Sequence, residues 1–275
     1  MTGPPGADAV PGEPVDPFAR PDLELDDEVP PPEPLQRATV FGAIRPALVD
    51  LYYGSVRLVA ANILWGLGLL VVGWSAATVG TWLGIILAPL LGLPLVGLYR
   101  IAALTTRSEE VVLSDIWTAM RERFLAALIV AAGLVWAIVL LATNIAIGLS
   151  TSTLFGWAFA ILAGWALVAA LSFAVAIWPV LGDPRFLDRS LPAAARLAAF
   201  TILAAPVRLM VLALAVLLIS MASTIAFAAI ITISLAFIAL VSCRVVLPEA
   251  DRLAERLAPA KRGDAADEAT RSRGT

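Results

Sequence analysis

Three long stretches of this chain carry no charge: residues 58–99, 124–182 and 209–243, which are 42, 59 and 35 residues long. Wound as helix at about 1.5 Å per residue, each is longer than the roughly 30 Å hydrocarbon core of a bilayer. Each also holds small or polar residues near its middle, where the chain can turn: Gly73, Ser75, Thr78, Gly80 and Thr81 in the first, Gly148 to Thr153 in the second, Ser220 to Thr224 in the third. The pattern therefore predicts three helical hairpins, an all-α polytopic membrane bundle of about six spans. Their expected bounds are Leu58–Ser75, Thr81–Tyr99, Phe124–Ile147, Leu154–Val180, Val207–Met221 and Ser223–Cys243. The third stretch has barely enough residues for two crossings, so either Arg208 snorkels to the interface or the pair is short, tilted or partly re-entrant.

Between the hairpins the apolar positions change to amphipathic spacing. Leu113, Ile116, Trp117, Met120 and Phe124 recur at helical intervals opposite Asp115, Arg121, Glu122 and Arg123, behind Ser114 as an N-cap. Ser190 followed by Pro192 starts a second linker helix, with Leu191, Ala194, Ala195, Leu197 and Ala198 on its apolar side. Pro248 to Leu257 is expected to prolong the last span beyond the membrane. Pro94-Leu95-Val96-Gly97 with Arg100, and Pro179-Val180-Leu181-Gly182 with Arg185, share the spacing P-x-x-G-x-x-R at two span ends, which two independent helix exits account for better than a duplicated unit does.

Charge adds orientation. All 19 Lys and Arg residues lie before the first stretch, in the linkers 100–123 and 183–208, or from Arg244 onward, and none lies in a hairpin turn. With an even number of spans, every charged segment falls on one face. The positive-inside rule makes that face cytoplasmic, with both termini inside. Trp74, Trp82 and Trp157 flank the first two turns as interface anchors. Arg100, Arg121, Arg123, Arg189 and Arg196 are the expected contacts to headgroups of an anionic inner leaflet.

Composition agrees with a membrane class: 60% of residues are hydrophobic and 15% charged. Residues 1–36 differ, with ten prolines and nine acids against Arg20 alone. Such a segment is expected to stay disordered. It is the opposite of a basic signal peptide, so the first span is expected to be retained. Residues 37–258 then form the membrane domain and 259–275 a polar, disordered tail.

With no histidine and one cysteine, Cys243, the chain lacks the usual zinc, haem and iron–sulfur ligand sets. No metal or cofactor site, no catalytic motif and no nucleic-acid partner is expected, and the reading is non-enzymatic. None of the six spans holds an ionisable group at its centre, which argues against coupling to protons or sodium through carboxylates. Asn62 and Trp65, on one face of the first span, and Asn144 are the intramembrane polar candidates; Pro89 and Pro94 should kink the second span. Glu109, Glu110, Asp115 and Glu122 lie near Arg107, Arg121 and Arg123 and read as surface ion pairs in a solvated linker.

The order of features is also familiar. Tyr52-Tyr53, Arg57, Asn62-Ile63-Leu64-Trp65, Gly92-Leu93-Pro94 running on to Leu98-Tyr99-Arg100, then Glu109-Glu110, Asp115-Ile116-Trp117 and Arg121-Glu122-Arg123-Phe124 resemble the YesL-like family of bacterial membrane proteins. The resemblance is sharpest over about residues 45 to 130 and fades to general hydropathy from 131 to 245; the acidic leader is outside it. It implies a multi-spanning protein without established catalytic activity, of a kind often linked with carbohydrate uptake or use, and it transfers no functional residue. The expected role is an accessory or regulatory component of a membrane system in a bacterial cytoplasmic membrane, with a membrane-transport protein as partner. The alternative is a small transporter or channel whose pathway is lined by the polar and proline-kinked spans.

Overall fold

The computed structural model describes residues 35–225 and 233–257, and among these every regular element is helical. The helices are α1 (Val40–Tyr53), α2 (Ser55–Thr78), α3 (Thr81–Leu87), α4 (Gly92–Thr106), α5 (Ser114–Glu122), α6 (Phe124–Ser150), α7 (Leu154–Gly182), α8 (Leu191–Ala204), α9 (Pro206–Ile225) and α10 (Leu235–Leu257). Five segments are long and apolar enough to cross a bilayer: α2, the α3–α4 run, α6, α7 and Pro206–Ser223 of α9. The protein is a membrane-embedded helical bundle. Of the expected tails, 1–36 and 259–275, all but residues 35 and 36 lie outside the described residues, and Leu35 packs against the core.

The first hairpin turns at Gly80, whose φ of +141° suits glycine alone. A Cβ on Gly84 would sit 2.6 Å from that of Ala76, so α2 and α3 touch through small residues. The expected kink of the second span is present as a 3₁₀ turn, Ala88–Leu91, between α3 and α4, with Pro89 in its first turn. The second hairpin turns through Thr151–Thr153; Ser152 takes a left-handed φ of +51°, and Thr153 Oγ1 accepts the Gly156 N–H at 3.1 Å. Gly148 lies against Gly156 there, a Cβ on the former falling 2.6 Å from the latter's carbonyl oxygen.

The third hairpin differs from expectation. Ser220 to Thr224 do not turn: α9 runs through them to Ile225. Serine and threonine hydroxyls can bond within a helix, and no glycine or proline interrupts this segment, so the polar cluster alone does not break it. Residues 226–232 lie outside the described residues. The Ser223 and Ser234 hydroxyls, on either side of that segment, meet at 2.7 Å. α10 continues to Leu257 through Pro248, as expected.

The spans also outrun their expected ends, most of all α4, which carries Arg100 inside the helix and stops at Thr106. Charged residues near a span end keep helical backbone where protein partners receive them. The amphipathic linker helices α5 and α8 are both present, although Ser114 is the first helical residue of α5 rather than its cap; Asp115 Oδ2 instead accepts the Val112 N–H at 2.8 Å.

The core gathers at one end. Leu98, Ile101, Ile177, Leu181, Leu197, Leu240 and Leu247 are fully buried where α4, α7, α8 and α10 meet. Gly182 allows α7 to reach the α4 backbone, since a Cβ there would lie 2.7 Å from the Tyr99 carbonyl carbon. Tyr99 and Trp178 stack across the same contact with ring centres 6.4 Å apart.

Candidate functional site at the charged face

The charged residues that bracket the spans are brought together by the ends of α4, α7 and α10. Arg107 follows α4, Asp183 ends α7, and Asp251 lies on α10. The Arg107 guanidinium donates to Asp183 through Nε at 2.9 Å and through Nη2, and to both Asp251 oxygens at 2.9 Å. Its side chain is 1% exposed and that of Asp183 is 0% exposed. Burial by itself would lower the Arg107 guanidinium, yet its bonds to Asp251 and Asp183 outweigh burial and hold it above the ordinary arginine range. Burial pushes the Asp183 carboxyl up, with Arg107 and the Arg185 N–H pulling against it. One cation thus ties three helices.

A second centre is Glu249 on α10. Arg37 Nε lies 2.9 Å from it, Arg208 Nη1 3.0 Å and Arg252 Nη1 4.0 Å. Arg208 also donates to the Ala38 carbonyl, which fixes the chain leading into α1. Nearby, Arg244 of α10 donates to Asp50 of α1 through Nε at 3.0 Å and through Nη2. Between them opens a polar cavity of about 620 Å³, lined by Gln36, Arg37, Thr39, Thr106 and Arg244 among others.

The five arginines expected at lipid headgroups divide. Arg100 is buried and pairs with Glu122 at 2.5 Å. Arg123 is buried and donates to the Phe186 carbonyl and, at 3.0 Å, to that of Arg189; burial and the neighbouring Arg100 lower its guanidinium. Both are turned inward, because the linker helices fold back onto the span ends rather than lying free on the lipid. Arg121 and Arg196 are exposed, the former 5.3 Å over the Trp117 ring, and Arg189 lies 5.2 Å over Phe186. The solvated-linker reading is likewise corrected for Arg107 and Arg123, whose side chains are buried, whereas Glu122 is exposed and ion-paired. Arg185–Glu109, at 3.4 Å, is the looser surface pair that reading describes.

Within the spans, Asn62 is fully buried and the Trp65 Nε1 is buried without a hydrogen-bond partner, while Asn144 is half-buried on α6. Pro94 lines a cavity of about 450 Å³ between α2 and α4. Its other walls, such as Leu64, Leu67, Val71, Leu87 and Met120, are apolar, and neither Asn62 nor Asn144 lines it. Three more cavities, of about 400, 320 and 430 Å³, are walled largely by Leu, Val, Ala and Trp of α7 and its neighbours. Among the described residues no group of three metal-ligating side chains converges.

Residue spacing did not disclose the Arg107–Asp183–Asp251 clamp, whose members are 76 and 144 residues from the arginine. Its one local signal is position: Asp183 directly ends an uncharged stretch, and Arg107 falls one residue after its span ends. No family model, curated protein or solved structure matches this chain.

Proposed function

We propose that this protein is a multi-pass protein of a bacterial cytoplasmic membrane, both termini inside, that acts without catalysis as an accessory or regulatory partner of another membrane system. The observation that carries the reading is the contrast between an ordered, ion-paired charged face and grooves between the spans that are apolar. A solute pathway needs polar groups to replace hydration along its length. A docking platform needs a fixed arrangement of helices at one membrane face, which α5, α8 and α10 supply. The exposed Trp117, Arg121 and Arg196 offer it contact groups for protein and for the anionic leaflet. Carbohydrate uptake enters as the partner system through the YesL-like resemblance.

In-cell cross-linking of tagged full-length protein, and of a version lacking residues 1–36, followed by mass spectrometry, tests this. A membrane-transport protein recovered with the full chain supports the role; recovery of the chain alone, together with solute flux by purified protein in vesicles, overturns it. Reporter fusions at Ser152 and at the C-terminus should report opposite sides. The transporter reading has the proline-broken second span and buried Asn62 in its favour. Under it, alanine at Asn62 and Asn144 should reduce uptake.

A further inference from the structure

The cavity at the start of α1 is lined by two charged side chains, Arg37 and Arg244, and by no carboxylate; the acids that pair with them lie beside it. Three guanidinium groups, those of Arg37, Arg208 and Arg252, surround the single carboxylate of Glu249, and Arg244 faces Asp50. Four cations therefore meet two anions. Asp251, two residues from Glu249 and thus about 200° around the helix, is already held by Arg107. An excess of positive charge around a concave surface favours an anion there.

The cavity wall matches that charge. Arg37 and Arg244 line it together with Gln36, Thr39 and Thr106. Each arginine spends part of its donor set on a carboxylate, and a guanidinium has five N–H groups to offer. The Arg37 side chain is 57% exposed, so it can swing from Glu249 to a ligand while Arg208 keeps that carboxylate paired. The position of the cavity is as specific as its chemistry. Thr106 is the last residue of a segment long and apolar enough to cross a bilayer, so the cavity lies at the end of a span, where headgroups are the neighbouring lipid chemistry. Its volume of about 620 Å³ exceeds what a bare inorganic anion needs and suits a phosphate carried on a small polar group.

We propose that this cavity binds a phosphate group, with Arg37 and Arg244 as its paired donors and Gln36 and Thr39 as neutral ones. Arginine forks fit phosphate oxygens in bidentate fashion, which a carboxylate-paired lysine would not. Two sources carry this chemistry at that depth, the headgroup of an anionic lipid and a water-soluble phosphate ester. The site is independent of the accessory role proposed above.

The test uses full-length protein in neutral detergent, titrated separately with dioctanoyl phosphatidylglycerol, dioctanoyl phosphatidylcholine and glycerol phosphate, with binding read by native mass spectrometry and by the shift in unfolding temperature. We expect saturable binding of phosphatidylglycerol or glycerol phosphate that Arg37→Gln weakens about tenfold, the loss of one charge-assisted contact. Asp50→Asn frees Arg244 and should tighten the same binding several-fold, an opposite response that damage to folding cannot produce. Binding of phosphatidylglycerol alone assigns the lipid source, and equal binding of glycerol phosphate assigns the soluble one. Absence of saturable binding by both probes, equal affinity for phosphatidylcholine, or affinity unchanged in both variants overturns the site.

Discussion

The two ends of the bundle are built on different principles. At the charged end, nearly every residue of α4 from Val96 to Leu104, of α7 from Val175 to Asp183 and of α10 from Ile238 to Ala250 is buried. At the opposite end, Trp74, Val79, Trp82, Leu154 and Phe155 are largely exposed, and along α6 so are Leu125, Ile129, Trp136 and Leu140. The apolar residue types do not make this difference, since Leu, Val, Ala and Trp occur at both ends. In a membrane, apolar residues gain little by leaving lipid for protein. Burial is therefore concentrated where something else draws the helices together: the ion pairs on Arg107, Glu249 and Arg244, and glycines that admit a neighbouring backbone. The apolar end carries no ion pair among the described residues and is left to lipid, with the first two hairpins closed on themselves by small residues, Gly84 and Gly148.

The largest expected effect in breaking this comparison is at Arg107. Arg107→Ala leaves Asp183 buried without its counter-ion and should destabilise the protein by about 3–5 kcal/mol, read as a fall in unfolding temperature in detergent and in yield. If the unfolding temperature is unchanged, the clamp does not hold the charged end together. Next comes a matched truncation: Leu181→Ala at the buried junction should cost about 2–5 kcal/mol, whereas Leu140→Ala on lipid-facing α6 should fall within about 0.5 kcal/mol of the parent. Glycine substitutions sharpen the contrast further. Gly182→Ala forces a Cβ against the Tyr99 backbone and should cost about 1–3 kcal/mol, while Gly133→Ala, with open space around it, should be nearly silent. The smallest effect is expected at Ser223→Ala, which removes one hydroxyl contact between α9 and α10 and should cost about 0.6 kcal/mol.

How far the sequence reached differs by element. The first two hairpins were legible because a run of uncharged residues twice the membrane thickness must fold back, and Gly80 and the Ser150–Thr153 cluster mark where. The linker helices were legible from spacing alone. The third turn was not: Ser220–Thr224 carries the same polar signal as Ser150–Thr153, and only the latter has Gly148 and Gly156 beside it to let two helices close. The inward turn of Arg100 and Arg123 was equally hidden, because a cation at the end of a span looks the same whether a lipid phosphate or a protein carbonyl receives it.

The sequence by itself determined that the chain is an all-helical membrane protein, where most of its crossings lie, and that its charges fall near their ends or outside them, because the cost of placing a charge or an open backbone in hydrocarbon depends on each segment alone. Tertiary structure alone decided which of those charges are spent on one another. Arg107, Asp183 and Asp251, or Arg37, Arg208 and Glu249, share no sequence interval; they meet because the ends of α4, α7, α9 and α10 come together at one face, and it is the packing of those ends that sets which guanidinium groups are buried in ion pairs and which stay exposed.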